Sequence, residues 1–403
     1  MKKYLVGGIV ALAVLGAIAY VFLADDIDRA STIATLFTGE EQYDNFYRMD
    51  DMFPVNTVPA SATPYDFPDG DPISLPETFD YKGKRVNTEA LLSETDTSAL
   101  LVLKDGKVVF ERYMLTGGRD EQWLSMSVAK SFISALVGIA VDEGHIKDIE
   151  APISDTLPEL TGSAYDGVSI KDVLQMSSGA AWNEDYSDPD SDINRFGRIF
   201  ALGGSLNEFM TTLERKNEPG TVNHYNSTDT QVLGALLVKT TGRSVADYMS
   251  EKLWEPVGAE SDAFWLTDSE GMEMAFGGFN ATARDYAKLG ELFRNGGNWN
   301  GKQVVPADWA KASVTPDAPH LLPGANDDAF LPVGYGYQWW ILDGDEGEYS
   351  GIGVYNQFVY VNPTRNVVIV KLSANSNYAV DLEESSYREY ETFHLFREIA
   401  DQT

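Results

Sequence analysis

Residues 124–144, LSMSVAKSFISALVGIAVDEG, hold a helical run that is apolar over most of its length. A helix greasy on nearly every side has no face to give to water, so the rest of the fold must wrap around it. That demands a large core, which a 403-residue chain with 43% apolar and 12% aromatic residues can build. The run opens with Ser127 and Lys130, three positions apart and therefore on one helical face. A lysine at the mouth of such a helix either snorkels to the surface beside a capping serine or is a desolvated base beside a nucleophile. The pair alone leaves both readings open.

Composition removes several function classes. There are 30 basic residues against 62 acidic ones, a formal charge of −32, which repels nucleic acid and anionic headgroups. No nucleic-acid partner is expected. Without cysteine, disulfides, thiol catalysis and thiolate metal sites are excluded. The four histidines, His145, His224, His320 and His394, show no zinc spacing, so neither a metal nor a cofactor is expected.

In MKKYLVGGIVALAVLGAIAYVFLADDID, Lys2 and Lys3 precede an apolar run from Tyr4 to Ala24, and Asp25, Asp26 and Asp28 follow it. The run is long enough to span a bilayer, with the lysines on the cytoplasmic side and the body outside. The AIA at 17–19 would suit signal-peptide cleavage, whereas the continuation YVFLA favours an uncleaved anchor. Residues 1–24 are therefore expected to be an anchor or signal peptide. The rest is then exported to the cell envelope or periplasm and touches the membrane only through residues 4–24. Residues 25–75, proline-rich toward their end, read as a linker or wrapping arm, leaving 76–403 as the folded domain.

Strands are expected at 99–104 and 107–113, joined by the Asp105-Gly106 hairpin signal, and again at 336–342, 354–361 and 367–373. From about 145 to 300 the pattern is mostly helical, and a last helix is expected at about 383–400. Strands at both ends of a helical middle predict an α/β domain with a helical insertion.

Two later clusters bear on the serine–lysine pair. Tyr225, Asn226 and Ser227 in NHYNS stand just before the apolar helix TQVLGALLV. The stretch EYSGIGVYNQFVYV leads into a strand through Ser350, Gly351, Ile352 and Gly353, whose glycines allow a close backbone approach to substrate. With SMSVAKS, YNSTDTQVLG, NEDYSDPDSD, GGFNATARD and YSGIGVYNQFVYVNPTRNVVIVKLS in this order over roughly 95–375, the chain resembles the serine β-lactamase and penicillin-binding-protein superfamily. Within it, the chain is most similar to the class C-related 6-aminohexanoate-dimer hydrolase branch.

The resemblance implies a β-lactamase/transpeptidase-like fold: an antiparallel sheet flanked by helices, with a mostly helical second subdomain. It implies an acyl-enzyme hydrolase in which Ser127 is the nucleophile, Lys130 its activator and Tyr225 the general base that later protonates the leaving group. The oxyanion donors are the backbone N–H groups of Ser127 and Ile352. Substrate contacts are expected at Tyr186, Ser227, Phe276, Tyr349, Ser350, Gly351 and Gly353. Tyr349 stands where lactamases and cell-wall peptidases carry the lysine of Lys-Thr-Gly, so carboxylate-bearing substrates are disfavoured. Phe276 stands where oligomer hydrolases can carry an asparagine, which shifts the expectation toward small esters. The acids of 183–192 read as a solvated loop, and His224 as structural. A DD-peptidase or weak β-lactamase, and a catalytically silent binding or sensor protein, are the competing readings.

Overall fold

The computed structural model describes residues 36–39, 41–115, 117–325, 332–378 and 382–403. The expected anchor segment lies outside the described residues. Among the described residues, no helix is long and apolar enough to cross a membrane.

In chain order, strands β1 (Val55–Val58), β2 (Thr97–Lys104), β3 (Lys107–Tyr113) and β4 (Trp123–Leu124) precede the apolar helix α1 (Ala129–Asp142). The middle of the chain supplies α2 (Asp192–Ala201), α3 (Ser227–Thr241), β5 (Ala263–Leu266), β6 (Phe279–Ala281) and α4 (Ala283–Arg294). Strands β7 (Gly334–Tyr335), β8 (Trp340–Ile341), β9 (Tyr349–Gly353), β10 (Gln357–Asn362) and β11 (Val367–Ser373) follow, and α5 (Leu382–Gln402) ends the chain.

The main sheet is antiparallel throughout, ordered β7-β8-β9-β10-β11-β2-β3. Asp105 and Gly106 both take positive φ, 49° and 72°, as the tight β2–β3 turn requires. Strand alternation sends Leu100, Val102, Phe358, Tyr360 and Ile369 to one face, where Phe393, Phe396 and Ile399 of α5 cover them. Leu101, Leu103, Val359, Val361, Val368 and Val370 join the larger core on the other face, with α4 and α1. Gly290 lets α4 press onto the sheet, since a Cβ there would stand 2.6 Å from Val368 Cγ1.

The expected strand at 336–342 shrinks to β8, because Gln338 takes φ +61° and leaves the ladder. The middle of the chain is not helix alone. Its β5 and β6 form a second sheet, ordered β1-β5-β6-β4, whose edge β1 comes from the proline-rich arm. That arm wraps the body, pairing Val55–Val58 with Leu266–Ala263. Helix α1 is buried from Ala129 to Ala140, which accounts for its all-round apolar character. Gly138 fits against Trp309, whose indole would lie 2.3 Å from a Cβ.

Candidate active site

Ser127 lies two residues ahead of α1, in a 3-10 turn spanning Met126–Val128. Met126 holds φ +47°, an unusual conformation for a non-glycine residue and a device for turning the chain sharply out of β4. Neither Ser125 nor Val128, at the two helical starts, makes a side-chain cap.

Lys130 does not snorkel. Its side chain is buried, the residue being 1% exposed, and Nζ donates to Ser127 Oγ at 2.9 Å, Ser227 Oγ at 3.1 Å and the Phe276 carbonyl at 2.8 Å. Those acceptors saturate an ammonium group. Burial nevertheless disfavours its charge and brings the pKa down from 10.5 to about 7, with the Glu184 carboxylate pulling the other way.

Tyr225 reaches the same point from the turn ahead of α3. Asn226 caps that helix by accepting from Thr228 N, and its amide donates to Asp229 Oδ1 at 2.9 Å. Tyr165 and Ser178 donate to the same oxygen at 2.9 and 2.8 Å, so the turn is pinned from three sides. Lys130 Nζ lies 5.1 Å from the Tyr225 ring centroid, and the Ser127 hydroxyl is near enough to the phenol to favour its charged form slightly. Burial pushes the phenol well above its ordinary pKa, with the negative Glu184 next in effect. Burial thus moves the two groups in opposite directions, lowering the Lys130 pKa and raising that of Tyr225.

Strand β9 runs beside the Ser127 turn, and its glycines leave it room to do so. A Cβ on Gly353 would stand 2.5 Å from the Ser125 carbonyl, and one on Gly351 would stand 3.3 Å from Ser131 Oγ. The close approach that these glycines permit is to the Ser125–Ser131 segment. Leu342 N donates to Glu348 O at 3.0 Å just past the pairs Ile341–Tyr349 and Trp340–Ser350. Antiparallel alternation then turns the N–H groups of Ser350 and Ile352 toward the β8 side. Because β8 begins at Trp340, the Ile352 N–H points past the end of the ladder.

The other expected contacts divide. Ser350 is fully buried, its hydroxyl donating to the Gly351 and Val359 carbonyls. Tyr349 is 3% exposed and meets Trp339 edge-on at 5.3 Å. Both are packed into the core, because β9 is sandwiched there at that end. Ser227 is likewise committed, donating to Glu184 Oε1 at 2.6 Å while accepting from Lys130. Phe276 stacks its ring on Phe196 of α2 at 4.8 Å and gives Lys130 its carbonyl. Tyr186 remains half-exposed, its hydroxyl on Glu184 at 2.7 Å. His224 Nε2 lies 2.8 Å from the Trp182 carbonyl, a structural contact.

Two participants were not given these places from sequence, and the tryptophan pair on the strand near the site, one expected in the core and one at the cleft, is now resolved. Glu184 is the centre of a hydrogen-bond cluster, where a solvated loop acid had been expected. The Phe276 carbonyl carries no sequence signal. Of Trp339 and Trp340, the first is fully buried while the second, half-exposed, stacks on Tyr225 at 4.9 Å. No group of three or more His, Cys, Asp or Glu placed to hold a metal occurs among the described residues.

The β-lactamase family model matches residues 88–391. The 6-aminohexanoate-dimer hydrolase of Paenarthrobacter ureafaciens is 35% identical over 294 residues, covering 71% of this chain and 74% of that one. A Yersinia enterocolitica β-lactamase is 25% identical over 57% of each chain. A solved, provisionally named 6-aminohexanoate-dimer hydrolase from Bacillus anthracis superposes with TM-score 0.80 at 25% identity, covering 91% of this chain and 95% of that one. With its sheet, its helical layers and its family match spanning Ser127 to β11, the chain belongs to the β-lactamase family of serine hydrolases, as a relative of the 6-aminohexanoate-dimer hydrolases.

Proposed function

We propose that the protein hydrolyses small ester or amide substrates through an acyl-enzyme on Ser127. The observation that carries this reading is the buried Lys130 amine, 2.9 Å from Ser127 Oγ with a pKa of about 7. An unaided serine hydroxyl is a poor nucleophile, and an amine that is half unprotonated at neutrality can relieve it of its proton. Lys130 Nζ takes that proton as Oγ attacks the carbonyl carbon. The oxyanion is held by the N–H groups of Ser127 and Ile352. Tyr225, neutral, gives its proton to the leaving group and regains one from Lys130. A water then attacks the acyl-enzyme, losing its proton along the same path in reverse.

The rim supports apolar or flexible acyl chains, since the half-exposed Tyr225, Trp340 and Tyr186 are aromatic. The Paenarthrobacter relative is a 6-aminohexanoate-dimer hydrolase, which puts linear amides of amino acids beside short esters as candidate substrates. Tyr349 in place of a lysine disfavours penicillin-like and D-Ala-D-Ala carboxylates. We also propose that the domain works outside the cytoplasm, anchored by residues 4–24, on the strength of the Lys2–Lys3 pair and the apolar run after it. Cell fractionation tests the location.

The activity test exposes the protein to a fluorophosphonate probe, a fluorescent penicillin and a panel of p-nitrophenyl acyl esters. The expected result is ester turnover and fluorophosphonate labelling, both lost in Ser127→Ala, with no stable penicillin adduct. A folded wild type that reacts with none of the three would refute the hydrolase reading.

A further inference from the structure

We infer that Glu184 is a positioning residue, acting through Ser227 to aim the free electron pair of Lys130 at Ser127. The inference rests on the hydrolase reading above and adds to it a control over the lysine's orientation.

The argument is a proton count. The Glu184 carboxylate only accepts: from Ser227 Oγ at 2.6 Å, from Ser227 N at 3.2 Å, from Tyr186 OH at 2.7 Å and from Trp182 Nε1. The single hydroxyl proton of Ser227 is therefore spent on Glu184, and toward Lys130, 3.1 Å away, Ser227 can only accept. The Phe276 carbonyl, 2.8 Å from Nζ, can only accept as well. A neutral amine has two N–H groups and one electron pair. With two of its three neighbours able only to accept, its N–H groups go to Ser227 and Phe276. The electron pair is left facing Ser127 Oγ at 2.9 Å, the one neighbour that brings a proton.

The reacting step then balances. The Ser127 O–H bond breaks, an N–H bond forms on Lys130, and the freed pair on Oγ attacks the carbonyl. Without the Glu184 carboxylate, Ser227 is free to turn its hydroxyl proton into the lysine's electron pair, an arrangement in which Ser127 has no base.

Glu184 also acts through its charge. The titratable groups around this centre are Tyr225 ahead of α3, Asp229 on α3, Tyr186 on the 183–192 loop, Tyr335 on β7, Tyr378 and, on α5, Glu389. Among these and the other described residues, Glu184 is the charge that raises the Lys130 pKa against burial.

The test follows kcat/KM against pH for a p-nitrophenyl ester in wild type, Glu184→Gln, Ser227→Ala and the double variant. In Glu184→Gln the plateau is expected to fall about tenfold or more, and the acid limb to move to lower pH, because a pKa-raising charge is gone. A merely structural role would not move that limb. Ser227→Ala is expected to lose a similar factor, and the double variant no more than the worse single, as for two residues in one chain of contacts. An unmoved limb in Glu184→Gln, or plateau losses that multiply, would overturn the inference. If Glu184→Gln does not fold, a Ser227→Ala plateau above half of wild type overturns it equally. A folded wild type that reacts with none of fluorophosphonate, penicillin and esters sinks the hydrolase reading and this inference with it, whereas an active wild type beside an indifferent Glu184→Gln sinks this inference alone.

Discussion

Replacing Lys130 by methionine, similar in length and uncharged, should abolish activity and change how stability depends on pH. In the unfolded chain this lysine holds its proton up to about pH 10.5, but in the folded protein only up to about 7. Between those values the unfolded state binds more protons, so this group makes wild-type stability rise with pH and fall as the medium is acidified. Its share is roughly 2–3 kcal/mol between pH 10 and pH 8. Every other titrating group, including the buried Lys371 whose pKa is also brought down to about 7, is common to both proteins and cancels. The stability of Lys130→Met relative to wild type should therefore improve by roughly 2–3 kcal/mol from pH 10 to pH 8 and level off below pH 7. The lost hydrogen bonds to Ser127, Ser227 and Phe276, about 1 kcal/mol each, offset part of the gain at every pH without changing the slope. Urea melts at four pH values measure the difference, and ester turnover in the same samples should fall by about two to four orders of magnitude. Parallel stability curves together with retained turnover would refute both the depressed pKa and the role built on it.

Tyr225→Phe keeps the stack on Trp340 but has no proton to pass on, so it should fold normally and lose most turnover; near-normal kcat would remove it from the mechanism. Gly353→Ala sets a Cβ 2.5 Å from the Ser125 carbonyl and should cost about 1–3 kcal/mol. Because the strain falls between β9 and the nucleophile turn, kcat should drop in that variant as well; an unchanged melting temperature would contradict the close approach. A net charge of −32 repels itself, and salt shortens the reach of that repulsion. Thermal midpoints should therefore rise steadily as sodium chloride is raised from about 10 mM to about 1 M; an insensitive or falling midpoint would show that ion pairs outweigh the repulsion.

Much of the site could be read because its residues are local in sequence. Ser127 and Lys130 sit one helical turn apart, and Tyr225 stands beside the start of an apolar helix, so pattern alone singles them out. The Asp105-Gly106 hairpin, the Gly-Gly stop of α4 and the Gly242 end of α3 follow from backbone rules that act over a few residues. The middle strands were missed for the opposite reason. Ala263–Leu266 and Phe279–Ala281 become strands only because β1 and β4, distant in sequence, supply their ladder partners. An acid in a loop of acids looks solvated until folding brings Ser227, Tyr186 and Trp182 to it, as happens to Glu184.

The sequence by itself thus determined the chemistry carried and the order in which it is carried: a serine and lysine on a helix that must be buried, a tyrosine at a second helix start, and glycines in a late strand. Tertiary structure decided which proton each group can hold. Burial lowers the Lys130 pKa and raises that of Tyr225, and this favours the lysine as the first proton acceptor in the proposed reaction. It also decided which glycines and aromatics face the cleft, since β9 lies against Ser125 and turns Tyr349 into the core. Both outcomes depend on desolvation and on neighbours remote in the chain, and neither is set by a residue and its immediate sequence context.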